Sequence, residues 1–364
     1  MQSYKKIADH YDVAIVGSDL SSLILAYLLS EEHDLKTILI SAKQSLQDFR
    51  KDAVETPINV DETIDYYPAT DHSRNSIDWL AETVLKQPLV SGAKESIPKT
   101  FESGEFKSFV GFGERKLKTI DAIEYYLQQQ NLPLQLSPEE WVKLLLEKYN
   151  GEILHKSQPT QILLEEGKVK AIVLNETKRL EADRFIFCGS ARDLLELVPQ
   201  DDLPGRTRQK IAKSKLYHRL NMQLTFSEVF DHHPEIHILM GTKDDFEPVV
   251  GQFHLTTNDQ GEQQLSSSWT YLLNSDEYED PELMTAVVKY IKRQIKRAYP
   301  ESFEILSGES ISVVRDCYGH VGLDSTKIKG MDNFYVGSPQ MGEGQSLQAQ
   351  ISSAQKVYEE FFAK

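Results

Sequence analysis

Two stretches of this chain put glycine where an apolar strand turns into a helix, a place where backbone N–H groups can converge on a phosphate. Tyr11–Val16 (YDVAIV) opens directly into Gly17, Ser18 and Asp19, and Leu20–Leu29 (LSSLILAYLL) follows as an apolar run of helical length. Near the other end, Asp332–Val336 (DNFYV) meets Gly337 and Ser338. Pro339, Met341, Gly342, Glu343, Gly344, Gln345 and Ser346 then precede a helix expected from about Leu347 to Phe362. Just upstream of this second turn, RDCYGH gathers Arg315, Asp316, Cys317, Tyr318 and His320, side chains able to orient a substrate or bound a pocket.

Other candidates carry less. His232 and His233 adjoin and so cannot share one strand face, and with His237 they fit no strong zinc spacing, so no metal is expected. Cys188 and Cys317 are the only cysteines, without a CxxC pair, and Cys317 reads as structural. Phe109–Arg115 (FVGFGER) lacks the Lys-Ser/Thr of a phosphate loop and reads as a hairpin or surface turn. The basic stretch Lys289–Arg297 reads as a solvated helix face. His218, Arg219, Trp269 and Tyr271 are possible pocket residues on strands of a second sheet.

Forty basic against fifty-six acidic side chains give a formal charge of −16, which argues against nucleic acid or an anionic membrane as a general partner. A locally positive pocket remains compatible with it. No apolar run reaches the roughly 20 residues of a membrane helix. Lys5, Lys6, Asp9, His10 and Asp12 interrupt any leader-like pattern, so a soluble cytoplasmic protein is expected. With 364 residues the chain exceeds a single core of about 250–300 residues, and two domains follow.

The elements around the glycine turns alternate in kind. Strand 11–16, helix 20–29 and strand 36–40 make a βαβ unit whose apolar strands suit a parallel sheet covered on both faces. Between about residues 41 and 131 the periodicity weakens, with short helices expected at Ile77–Leu85 and Thr119–Gln128. Ser137, Pro138, Glu139 and Glu140 mark a helix start, and Asn150-Gly151 its end. Strands 152–155, 159–164 and 170–174 read as a meander turning at Glu166-Gly167, and 184–188 as a compact strand before a helix at 191–198. Residues 201–310 alternate as antiparallel strands and close with one long helix, Pro281–Ala298.

In this order the blocks resemble the amine-oxidase and phytoene-desaturase branch of the FAD-binding oxidoreductases. The resemblance rests on the N-terminal βαβ unit, on Gly167–Ile172 with Ala182–Phe187, and on the closing stretch Asp332–Gln345, about 150 residues in all. It implies an α/β fold: a Rossmann-like, glutathione-reductase-type FAD-binding domain with a second α+β substrate domain inserted. The FAD-binding part is expected at 1–60, 136–200 and 311–364, and the substrate or cap part at 61–135 and 201–310. FAD is the implied cofactor, and the implied activity is oxidation of an amine, an amino-acid-derived group or an unsaturated carbon framework.

Carried over position by position, Gly17 matches the first fingerprint glycine, Asp19 stands for the second and Ser22 for the third. Ser18 lies within that turn. Ser41 replaces the acid that holds ribose hydroxyls, and Ser338 replaces the acid of the closing motif, while Gly337, Gly342, Gly344 and Gln345 keep it. Arg315, Tyr318 and His320 are the implied substrate-side residues. A carboxylate at position 19 adds bulk and negative charge where a diphosphate would meet the helix. Two readings follow: a flavin-dependent oxidoreductase acting on a small molecule or peptide, or a cofactor-free relative holding a protein or peptide in the former cleft, as the Rab GDP-dissociation inhibitors do.

Overall fold

The computed structural model describes residues 5–6, 10–43, 66–68, 70–90, 97–119, 131–241, 246–257, 261–344 and 346–362. Strands β1 (Lys5–Lys6) and β2 (Tyr11–Val16) lead into helix α1 (Leu20–Glu31) and β3 (Thr37–Ile40). Next come β4 (Tyr66–Pro68), α2 (Asp71–Trp79), the hairpin β5 (Lys99–Glu102) and β6 (Glu105–Ser108), and β7 (Asn131–Pro133). Helix α3 (Pro138–Lys148) precedes β8 (Glu152–Leu154), β9 (Pro159–Glu165), β10 (Lys168–Leu174), β11 (Lys178–Leu180) and β12 (Ala182–Phe187). Two short helices follow, α4 (Leu194–Leu197) and α5 (Gly205–Ala212). Strands β13 (Leu216–Phe226), β14 (His237–Leu239), β15 (Val249–Thr257) and β16 (Gln263–Leu273) come before α6 (Ser275–Tyr278) and α7 (Pro281–Ala298). The chain closes with β17 (Leu306–Gly319), β18 (Phe334–Val336) and α8 (Ser346–Phe362).

A five-stranded sheet in the order β18-β12-β2-β3-β8 is parallel throughout and is the frame on which the glycine turns sit. Its two faces are buried differently. Val13, Ile15 and Leu39 pack against α1, α3 and α8, whereas Ala14, Val16, Ile38, Ile40 and Phe187 pack against Ile162, Val169 and Ile172 of the β9–β10 hairpin. Parallel strands covered on both faces must be apolar at nearly every position, which accounts for the unbroken runs AIV and ILI. Helix α1 is enclosed over ten consecutive residues, Leu20 to Leu29. Each large side chain there contributes roughly 1.5–3 kcal/mol of burial.

The second layer is a seven-stranded sheet, β17-β13-β16-β15-β14-β5-β6, backed by α7 through Val287, Tyr290, Ile291 and Ile295. Helix α7 begins at Pro281 and ends at Ala298 as its sequence signals require, because Asp280 accepts from the N–H groups of Glu282 and Leu283. The chain is thus of mixed α/β class with a Rossmann-type parallel sheet.

Several local expectations change. Residues 152–154 leave the expected meander and join β3 in the parallel sheet, while 159–165 and 168–174 form their hairpin in a separate four-stranded sheet. Helix α2 starts at Asp71, ahead of the expected Ile77, because Thr70 caps it through the N–H of Ser73, and it runs on as a π-helical turn over Leu80–Leu85. Gly151 serves packing rather than a left-handed cap, since a Cβ there would collide with the hydroxyls of Tyr149 and Thr37. Arg315 to Gly319 of RDCYGH form the end of the 14-residue strand β17, which runs across residue 311 where a boundary was expected. The expected helix over 119–128 lies, beyond Thr119, outside the described residues.

The closing-turn glycines are also held by packing. A Cβ on Gly342 would overlap the carbonyl oxygen of Ala349 in the first turns of α8, and backbone cannot move aside. At Gly205, the first residue of α5, a Cβ would meet nothing. Gly342→Ala is therefore expected to lower unfolding free energy by about 1–3 kcal/mol, and Gly205→Ala to leave it unchanged or raise it by about 0.5–1 kcal/mol. Denaturant unfolding of the two variants checks this contrast.

Candidate functional site

The C-terminal ends of β2, β3, β12 and β18 converge on one line, the crevice where open α/β sheets bind their ligands. Backbone bonds fix it: Gly17 donates to Ile40, Cys188 to Val16 at 2.6 Å, and Gly337 to Phe187 at 2.8 Å. Above it lies a cavity of about 270 Å³, roofed by Arg219 of β13 and Val314 to Cys317 of β17. Its floor includes Gly17, Ser18, Asp19, Cys188, Ser190, Asp193, Gln340 and Gln350.

Asp19 is the N-cap of α1. One carboxylate oxygen accepts from the Ser22 N–H at 3.0 Å and from the Ser21 hydroxyl at 2.8 Å. The Leu20 N–H, which points the same way, donates to the side-chain oxygen of Gln350 on α8 at 2.9 Å. The Leu23 N–H bonds the Asp19 carbonyl at 3.4 Å. Two N–H groups of the first turn that the helix leaves unpaired, of the kind that bind anions at a helix N-terminus, are thus taken by Asp19 and Gln350, while the Leu23 N–H makes the helix's own first bond.

The neighbouring substitutions fit the same pattern. Ser22 is buried and its hydroxyl donates to the Asp19 carbonyl at 2.7 Å. There is room for it because Gly17 has no Cβ; one placed there would lie 2.8 Å from the Ser22 and Cys188 Cβ atoms. Ser41 is fully buried and its hydroxyl meets that of Ser18 at 3.1 Å, while Ser18 also accepts from the Ala42 N–H. The pair ties the β2 and β3 turns together where the resemblance implies a ribose contact.

Ser338 is likewise buried, its hydroxyl bonded to the Gln340 side-chain oxygen, which also accepts from the Ala191 N–H at 2.8 Å. The Gln340 amide nitrogen donates to the Asp316 carbonyl. Gly337 packs against Cys188, and Gly344 takes a positive φ of 77°. Gln345 lies outside the described residues.

Asp316 joins the two sheets. It is 1% exposed, has φ of 49°, and its carboxylate accepts from Ser190 at 3.0 Å and from Arg192 at 3.3 Å. Its N–H donates to Nδ1 of His218 at 3.1 Å, which marks that ring nitrogen as the unprotonated one. Of the expected substrate-side residues, Arg315 lines the cavity and is exposed, Tyr318 is buried beneath the Arg219 guanidinium, and His320 is exposed outside the cavity lining. Trp269 and Tyr271 belong to the core under α7, and His237 is buried with a ring nitrogen 2.6 Å from the Tyr299 hydroxyl. Among the described residues no group of three or more His, Cys, Asp or Glu could hold a metal. No described helix is long and apolar enough to cross a membrane.

Gln340, Gln350, Asp193 and Arg192 are site residues that the sequence reading missed. None stands in a recognisable motif, and the role of each is visible only once its partner across the fold is known.

No family model and no curated protein matches the sequence. Solved structures do match its shape. An oxidoreductase from Methanosarcina mazei superposes with a TM-score of 0.62 at 12% identity, covering 95% of this chain and 99% of that one. Putrescine oxidase bound to putrescine gives 0.56 at 10% identity, covering 96% and 97%. The myxobacterial chondrochloren halogenase, a variant of the FAD-dependent halogenases, gives 0.51 at 11% identity, covering 96% and 72%. This chain has the fold of the FAD-dependent oxidoreductases.

Within that fold, the residues of this chain do not fit the diphosphate of a dinucleotide at the usual place. Two amides of the α1 turn already hold Asp19 and Gln350, and a carboxylate occupies the ground an anion would need.

Burial raises the Asp19 pKa from 3.8 to about 6, against the opposing hydrogen bonds from Ser22 and Ser21. Asp193, on the same cavity wall, is raised to about 6, first by burial and then by the charge of Asp316. A carboxyl whose pKa is higher folded than unfolded binds its proton more tightly in the native state. Its stabilising effect is full below about pH 4 and is lost as pH rises through about 6. Asp19→Asn keeps a capping oxygen without the charge. It should raise stability at pH 7.5 by up to about 2 kcal/mol and change little at pH 4, as read from thermal unfolding at both pH values.

Proposed function

We propose that this chain is a cofactor-free member of the fold, a binding protein that takes a peptide or protein segment into the cleft between its two large sheets. The observation that carries this reading is the self-capped first turn of α1, where Asp19 and Gln350 accept the N–H groups of Ser22 and Leu20. The Ser18–Ser41 and Ser338–Gln340 bonds support it, because they close on each other the positions that the resemblance assigns to nucleotide contacts. The cavity wall suits such a ligand. It offers an amide group at Gln158, acid at Asp193 and base at Arg219 and Arg315, a mixture able to pair with peptide groups of either polarity.

A second reading, a flavin-dependent oxidoreductase of amine-oxidase or phytoene-desaturase type, is favoured by the likeness to putrescine oxidase over 96% of the chain. In it FAD would supply the redox chemistry, and Arg315 at the cavity wall would orient a small organic or amino-acid-derived substrate.

Visible absorption of the purified protein, before and after FAD is added in excess, decides between the two. The first reading expects no flavin band as purified and no perturbation of added FAD. Opening the turn with Asp19→Gly and Gln350→Ala together should raise FAD affinity at least tenfold, about 1.4 kcal/mol. A wild-type protein that is yellow as purified, or that binds FAD stoichiometrically, would overturn it in favour of the oxidoreductase.

A further inference from the structure

Strand β17 stands at one edge of the seven-stranded sheet and pairs on its inner side with β13 over nearly its whole length. On its outer side no strand of the described residues pairs with it. Long unpaired edges are normally guarded by proline, lysine, a bulge or a covering segment. From Leu306 to Val314 (LSGESISVV) this one has no proline and no lysine. Its pairing with β13 stays in register from Gly308 to Val314, before the irregularity around Asp316.

The apolar side chains on this edge lie together. Ile311 and Val313 pair with Met222 and Leu220 of β13 and so share their face of the sheet, the face that packs under α7. Yet they are 44% and 36% exposed, whereas Met222 and Leu220 are fully buried. Their apolar surface continues the core beyond the rim of the sheet.

The charges complete the pattern. Glu309 and Arg315 lie three residues to either side of Ser312, and Ile311 and Val313 one residue to either side. In antiparallel pairing of two β17 strands about a twofold axis at Ser312, Ile311 of each copy faces Val313 of the other. Glu309 of each faces Arg315 of the other. The strand is self-complementary in hydrophobicity and in charge, as a twofold interface requires. Glu309 also bonds Lys292 of α7 at 2.7 Å, which fixes its side chain near the edge.

We propose that two copies of this chain pair edge to edge through β17, centred on Ser312, and join their seven-stranded sheets into one. Because Arg315 also lines the cavity, the pairing sets Glu309 of the second copy beside the mouth of each site.

Sedimentation velocity over the micromolar range, with full-length protein, tests this. Wild type is expected to run at twice the chain mass. Arg315→Glu places two carboxylates opposite each other and should weaken the dimer at least tenfold. Glu309→Arg combined with Arg315→Glu restores opposite charges across the axis and should recover most of that loss. Ile311→Lys, on an exposed position that leaves folding intact by circular dichroism, should give monomer. A monomeric wild type would overturn the proposal, as would a dimer indifferent to Ile311→Lys, or a charge-swapped double variant as weak as Arg315→Glu alone.

Discussion

A helix that starts beneath a cleft leaves N–H groups that something must accept. In this chain the first turn of α1 is buried between the parallel sheet and α8, and water cannot serve all of those groups. Asp19 and Gln350 do so instead. The arrangement reaches further than the turn itself. Gln350 ties α8 to α1, and Ser22 fits only because Gly17 leaves space for it. This part of the cleft floor is therefore held together by mutual contacts between α1, α8 and the turn after β2.

The roof is attached with similar economy. Asp316 and Gln340 connect the long strand β17 to the turns after β12 and β18, and each uses several of its polar atoms to do so. A buried carboxylate shared by Ser190 and Arg192 is costly to leave unpaired. The two sheets are accordingly held in one relative position at this point, and the cavity keeps its shape between a floor and a roof that share hydrogen bonds.

Much of the frame could be read from the residues. The apolar runs YDVAIV, ILI and RFIF announced strands buried on both faces. Ser137 with Glu140 announced the start of α3, and the run Pro281–Ala298 announced α7, because caps, helical runs and buried strands depend on neighbours close in sequence. Strand β17 was not legible. Its polar and apolar residues alternate at an edge, where exposure is tolerated on both sides, so SGESIS looks like loop. Residues 152–154 were read as strand but not placed, since the choice between two sheets is made by partners more than a hundred residues away.

The sequence by itself determined the order of strand, glycine turn and helix at both ends of the chain. It also determined the presence of a carboxylate and three serines where nucleotide contacts are expected. Those are local facts, set by residue type and spacing. What the carboxylate faces was decided only by tertiary structure. Whether Asp19 points at a ligand or folds back on its own helix depends on Ser21, Ser22 and the arrival of Gln350 from 330 residues along the chain. Hydrogen-bond partners across such distances follow from packing, and no periodicity in the sequence records them.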